Sequence, residues 1–186
     1  MTGRVLVTGG AGYIGSVVVD QLLAGGHDVV VLDDLSAGHR EAVPAGATFV
    51  HAGIGDRAAV TALFDRRPVH AIVHLAAFAL VAESVANPEK YRVNNVADAR
   101  VLLDAAVAAG VRRFVFSSSC TVYGIPAAVP IAEDAATAPM SPYGETKLEF
   151  ERVLRDYSVR HRLSSVSLRY FNAAGAAGRS PGSRDP

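Results

Sequence analysis

Four glycines, Gly9, Gly10, Gly12 and Gly15, follow the short apolar run Val5 to Val7 and precede Val17, Val18, Leu22 and Leu23 at helical spacing. Strand, glycine turn and helix in that order leave few folds open. Read from Gly10 the glycines spell G-x-G-x-x-G, and from Gly9 they spell G-x-x-G-x-x-G. Gly9 and Gly10 permit a tight exit from the strand. Gly12 keeps no side chain between backbone and a pyrophosphate, and Gly15 lets the helix pack closely on the strand. The helix N-terminus then presents free N–H groups to an anion. An ordinary βα turn would explain the glycines alone. A second strand, Asp28 to Leu32, strengthens the dinucleotide reading because it ends in Asp33-Asp34. An acid there, roughly twenty residues past the glycines, is placed to accept from ribose hydroxyls and repels a 2′-phosphate, so NAD is expected rather than NADP. A solvated turn is the plainer alternative for the two aspartates.

The rest of the chain alternates. Helices are expected at Ile14–Ala24, at Ala58 to Phe64 ending before Pro68, at 89–109 with Val93, Val96, Leu102, Leu103 and Val107 inward, and from Pro142 to Arg160. Strands are expected at Thr48–His51, Ala71–Leu75, Arg113–Ser117 and Val166–Phe171, with a loop or short helix at 34–47 and loops at 76–88 and 118–141. This alternation implies an α/β fold, a doubly wound parallel sheet of Rossmann type. Right-handed crossovers give strand order 3-2-1-4-5-6. The glycine turn, Asp33, Leu75 to Ala77, Ser117 to Ser119 and Tyr170 to Asn172 then share the carboxyl edge of the sheet, where ligands bind. With 186 residues a single domain is expected, perhaps with a stub of another. The balanced charge, 18 basic against 18 acidic residues, argues against nucleic-acid or acidic-membrane partners. The single cysteine, Cys120, forms no internal disulfide and suits a reducing cytoplasm; no leader or membrane span is read from the sequence.

Tyr143 and Lys147 stand four apart at the start of the last helix and so share one face. An ordinary tyrosine, with a pKa of about 10, is a poor base near neutrality. A nearby ammonium favours its phenolate. The pair can then take a proton from a substrate hydroxyl while hydride passes to a nicotinamide, and Ser119 can hydrogen-bond the same hydroxyl. A surface helix pair is the alternative for Tyr143 and Lys147. His74 reads as a satisfied core residue, and the other histidines lack metal-ligand spacing. Cys120 has no paired histidine and reads as a small buried residue rather than a nucleophile.

These segments resemble the extended short-chain dehydrogenase/reductase superfamily, and within it the UDP-glucose 4-epimerase family. The likeness is carried by Thr8 to Ser16, Val31 to Ser36, Glu83 to Val85, Asn94 to Val96, Phe116 to Gly124, Ser141 to Lys147 and Leu168 to Asn172. It implies Tyr143 as base, Lys147 as its partner and Ser119 as donor to the substrate hydroxyl. It implies NAD contacts from Gly9, Gly12, Tyr13, Ile14, Gly15, Asp33, Asp34, Leu35, Gly53, Ile54, Leu75, Ala76, Ala77, Asn94, Tyr143, Lys147 and Phe171. Ser119, Tyr143 and Asn172 would touch a UDP-sugar, epimerised at C4 through a transient 4-keto form. No metal is implied. Cys120-Thr121 stand where 4,6-dehydratases carry an Asp-Glu pair, which disfavours dehydration.

Three departures accompany the likeness. Gly53 stands where the family has an adenine-binding aspartate, and Ala79 where many relatives have a lysine. The family also continues into a C-terminal domain that grips the UDP-sugar. Residues 1–175 are therefore expected to form the NAD-binding domain, and 176–186 a disordered tail or the stub of a truncated substrate domain. The alternatives are an NAD-binding module without turnover and a relative acting on another nucleotide sugar. The resemblance also implies a homodimer through helices 89–109 and 142–160.

Overall fold

Runs of β-branched and aromatic residues build six strands: β1 (Arg4–Thr8), β2 (Asp28–Asp33), β3 (Thr48–His51), β4 (Ala71–His74), β5 (Arg113–Ser119) and β6 (Ser164–Tyr170). The structure, a computed structural model, describes residues 3–174. All five pairings are parallel, and the order is β3-β2-β1-β4-β5-β6. Between the strands lie α1 (Tyr13–Ala24), α2 (Arg57–Arg66), α3 (Val81–Ala86), α4 (Pro88–Arg92), α5 (Ala99–Ala108) and α6 (Pro142–His161). The doubly wound parallel sheet is thus the one the alternation predicts.

Period-two alternation divides the sheet residues between two layers. Leu6, Val30, Leu32, Ile72, Phe114 and Phe116 face one side, with Leu63 of α2, Leu102 and Leu103 of α5, and Phe150, Val153 and Leu154 of α6 packed upon them. Val5, Val7, Val29 and Val31 face the other, covered by Val19 of α1 with Leu22 and Leu23. Helix ends follow local chemistry. Gly26, at φ 78°, closes α1 with bonds from its own N–H to Leu23 and from His27 N–H to Leu22. Ser141 caps α6 by accepting from Gly144 N–H at 3.2 Å, with Pro142 in the first turn.

Several boundaries differ from expectation. The segment 76–88 is not all loop, because Val81–Ala86 forms α3. The helix expected at 89–109 is interrupted: a π turn, Val93–Asp98, joins α4 to α5. Its wider winding shifts the phase of the side chains. Val93, expected inward, is exposed, while Asn95 is buried. β5 runs two residues further than expected, through Ser119, and the long loop after it opens with a 3₁₀ turn, Cys120–Tyr123. Cys120 is only half-buried, packed against the edge of the small core that Val122 and Tyr123 form with Leu148 of α6. β6 starts and ends earlier than predicted, at Ser164 and Tyr170, following its register with β5. The tail expected at 176–186 lies outside the described residues.

Candidate active site

The glycine turn is shaped by contacts that leave no room for side chains. A methyl at Gly9 would lie 2.6 Å from the Ala76 nitrogen, and φ there is +71°. A methyl at Gly15 would lie 2.0 Å from the Gly9 carbonyl oxygen, so only glycine lets α1 meet β1 this closely. Gly12 caps α1 without a side-chain hydrogen bond, and the only atom near its missing methyl is the Gly9 oxygen, at 3.4 Å. The helix start, with Tyr13 and Ile14 as its first residues, is therefore an open cradle of N–H groups.

Asp33 fastens this cradle to the end of β2. Its Oδ2 accepts from Ala11 N–H at 3.0 Å and its Oδ1 from Leu35 N–H at 2.9 Å, and the carboxylate is buried. Leu35 adopts the left-handed region there, at φ 61°. Each oxygen of Asp33 keeps a lone pair for a further donor. Asp34 is exposed, with its Oδ1 accepting from Ser36 N–H. Beyond β3, Gly53 is bare beside Asp34, while the Ile54 side chain is buried in the core, so only its backbone faces the crevice.

The end of β4 is tied to β1. Leu75 N–H donates to the Thr8 carbonyl, and Thr8 Oγ1 pairs with His74 Nδ1 at 2.7 Å. His74 is packed among Phe114, Phe116 and Phe150. Burial, with the charge of Lys147 adding, drives its pKa down to about 3, so it stays neutral, as a satisfied core residue should. Leu75, Ala76 and Ala77 then line the edge half-buried, and Ala79 is exposed.

The π turn brings in a residue that sequence reasoning missed. Asn95 Oδ1 accepts from Phe78 N–H at 2.9 Å, and its amide donates to the Phe78 carbonyl at 3.0 Å and to Thr146 Oγ1 at 3.2 Å. It pins the chain after β4 to α6, one residue from Lys147. Asn94, the residue singled out from the Asn94-Asn-Val96 segment, donates to Asn95 Oδ1 and is half-buried. The doubled asparagine was the available signal; helical phase hid which of the two turns inward.

Ser119, Tyr143 and Lys147 converge. Ser119 Oγ accepts from Thr121 N–H at 3.2 Å and from Thr121 Oγ1 at 2.9 Å. With both lone pairs engaged, its proton is left to donate. Burial raises the pKa of the Tyr143 phenol; its hydrogen bond with Ser119 pulls the other way, and Cys120 pushes it further up. Lys147 Nζ donates to the Ser117 carbonyl at 2.8 Å and lies 5.6 Å from the Tyr143 ring centre. It is buried and forms no ion pair among the described residues, and burial lowers its pKa to about 7. The surface-pair alternative for Tyr143 and Lys147 is thereby removed. Phe171 and Asn172 stand exposed just past β6, whose register sets Tyr170 opposite Ser119.

A buried ion pair supports this corner. Arg169 Nη2 and Nε bond Glu151 Oε2 and Oε1 at 2.7 and 3.0 Å; Ser118 also donates to Glu151, and Arg169 Nη1 donates to the Glu133 carbonyl. Arg169→Met strands the Glu151 carboxylate, whose side chain is 4% exposed. A stability loss of about 2 kcal/mol is expected in urea unfolding, moderated because the arginine end is partly wet.

No group of three or more potential metal ligands occurs among the described residues, and none of their helices is long and apolar enough to cross a membrane.

Comparison with known proteins agrees with this geometry. A UDP-glucose 4-epimerase of Streptomyces lividans is 49% identical over 177 residues, covering 95% of this chain and 54% of the relative. The crystal structure of UDP-glucose 4-epimerase from Brucella ovis in complex with NAD superposes with a TM-score of 0.92 at 45% identity, over 95% of this chain and 54% of that one. The Thermotoga maritima UDP-glucose 4-epimerase with UDP-glucose gives 0.90 at 38% identity, over 92% and 56%. The chain thus spans about half the length of the relatives it matches. A family profile runs over residues 5–185, nearly end to end, and on that match the chain belongs to the NAD dependent epimerase/dehydratase family.

Proposed function

We propose that this chain is the NAD-binding portion, residues 1–175, of an enzyme that interconverts UDP-glucose and UDP-galactose at C4. The observation that carries the reading is the convergence of Ser119, Tyr143 and Lys147 at the sheet edge that also bears the glycine cradle. The residues present fit a dinucleotide: bare Gly12 and the first N–H groups of α1 suit a pyrophosphate, and Asp33 has lone pairs for ribose hydroxyls.

When bound, NAD supplies the hydride acceptor and donor. Tyr143 as phenolate would take the proton of the sugar 4-hydroxyl as C4 is oxidised, and Ser119 would donate to that same oxygen. The 4-keto sugar turns over in the pocket. With C4 reduced from its other face by the bound cofactor, Tyr143 would hand the proton back to the oxygen. Burial disfavours a phenolate at Tyr143. The proton transfer therefore needs positive charge beside the ring, and Lys147 supplies it. Asn172, past β6, would reach the UDP-sugar, and Leu35, Gly53, Ile54, Leu75 to Ala77, Asn94 and Phe171 would border the NAD. A cytoplasmic setting for the half-buried thiol of Cys120, and pairing of two copies through the helices at 88–108 and α6, belong to the same reading.

The test is cofactor content. Purified chain, denatured and cleared, is expected to release close to one NAD or NADH per protein, measured enzymatically. An empty, correctly folded chain that also fails to take up added NAD would end the reading.

A further inference from the structure

The adenine end of the proposed site has an unusual shape. Gly53 offers no side chain: a methyl there would meet nothing nearer than Asp34 Oδ2, at 3.9 Å. Ile54 points into the core. Gly55 is bare for a different reason, since a methyl there would lie 2.3 Å from Asp98 Oδ1 and 2.4 Å from its carboxyl carbon. The carboxylate of Asp98, at the end of the π turn, thus lies directly over Gly55, two residues past the bare Gly53.

That carboxylate is idle. Asp98 is half-buried and makes no hydrogen bond or ion pair among the described residues. Its pKa is raised by burial, with no neighbouring charge or hydrogen bond opposing the shift. Its oxygens still reach solvent, so an arriving donor replaces water there and gains what a hydrogen bond to a charged acceptor gains. The other acids at this edge differ: both Asp33 oxygens hold backbone N–H groups and keep lone pairs for the ribose hydroxyls, while Asp34 is exposed, with Oδ1 accepting from Ser36 N–H and Oδ2 beside Gly53. Donors on an incoming dinucleotide are few. The ribose hydroxyls have Asp33. The base contributes the exocyclic amino group of adenine.

We propose that Asp98, reaching across the bare Gly55, is the residue that reads the adenine amino group of NAD, in place of any side chain at position 53. The proposal rests on the NAD reading above. The bare Gly55 and the acid at 98 then form one device, because a side chain at 55 would drive the carboxylate aside.

The experiment compares binding of NAD with nicotinamide hypoxanthine dinucleotide, in which a carbonyl replaces the amino group. Binding to the cofactor-stripped full chain is followed by calorimetry and by the rise in melting temperature. Wild-type protein is expected to favour NAD about tenfold, the scale of one hydrogen bond to a charged acceptor. Asp98→Ala should bind both dinucleotides equally and weakly. Asp98→Asn should also lose the preference, but by gaining affinity for the hypoxanthine form, since an amide can turn its N–H toward the carbonyl. A purely structural role for Asp98 would not produce that gain. Gly55→Ala, which displaces the carboxylate without removing it, should lose the preference too, and keeps the test open if Asp98→Ala does not fold. Equal binding of both dinucleotides by wild type, or a preference that survives Asp98→Ala, overturns the proposal while leaving the NAD reading intact. Failure of wild type to bind either one overturns both.

Discussion

For the proposed reaction, Tyr143→Phe is expected to lower interconversion of UDP-galactose and UDP-glucose by roughly 10²- to 10⁴-fold, the usual contribution of a positioned acid–base group. The substitution removes one oxygen. The ring remains in its pocket, near-perpendicular to Tyr91 at 6.4 Å between ring centres. The Ser119 hydroxyl loses one partner, the phenol oxygen, and keeps its two bonds from Thr121. Stability should change by less than about 1 kcal/mol. NAD content should persist, because the cradle at Gly12 and the anchor at Asp33 are untouched. Loss of turnover with cofactor retained therefore separates a missing base from a damaged site. The wild-type rate should fall as pH drops, since burial already biases the phenol toward its protonated form. The residual rate of the Phe variant should lack that limb. Unchanged turnover in Tyr143→Phe would remove the assigned base altogether.

Much of the scaffold behind this prediction was legible in the chain because its signals are local. Gly9 to Gly15 between an apolar run and a helical period can only be a βα turn, and the alternation that follows orders the sheet. Tyr143 and Lys147 at four-residue spacing share a face in any helix. What spacing cannot say is whether that face is buried. That depends on Phe116 from β5, whose ring centre lies 4.9 Å from the Lys147 ammonium, a contact set by the completed sheet.

The same limit hid the other supports. Thr8 meets His74 across 66 residues, and Asn95 meets Thr146 across 51. Neither pair has a periodic signature. The π turn was illegible for a further reason. Extrapolating 3.6 residues per turn through Val93 placed it inward, whereas the wide turn exposes Val93 and buries Asn95. Asp98 sits where that wide turn ends, so its approach to Gly55 depends on the same shift in phase.

Lys147→Met should abolish turnover and, in the cofactor-free protein, raise stability. The lysine is buried with one hydrogen bond, to the Ser117 carbonyl, and no carboxylate partner among the described residues. Its pKa falls from 10.5 to about 7 on folding, so holding the proton inside opposes the fold. Below about pH 7 the folded and unfolded forms both carry the proton, and the penalty is full and constant. Between about pH 7 and 10.5 the unfolded chain binds more protons than the folded one, so stability rises with pH, by at most roughly 1.4 kcal/mol per unit. Above that window both forms are neutral and the penalty is gone. Methionine matches the lysine stem and carries no charge, and it leaves the Ser117 carbonyl without its donor. The net gain at pH 7 is therefore about 2 kcal/mol, or roughly 4–8 °C in melting temperature for a domain of this size. Urea midpoints for wild type should stay nearly level from pH 6 to 7 and climb through pH 8 and 9, while those of the variant run flat and higher at pH 6 and 7. A wild-type curve as flat as the variant's would mean that Lys147 keeps an ordinary pKa. The positive charge beside Tyr143 would then come at no cost to the fold. If the curves diverge as expected, the chain gives up stability to place an ammonium beside a phenol, which is the pattern of a site selected for proton transfer rather than for packing.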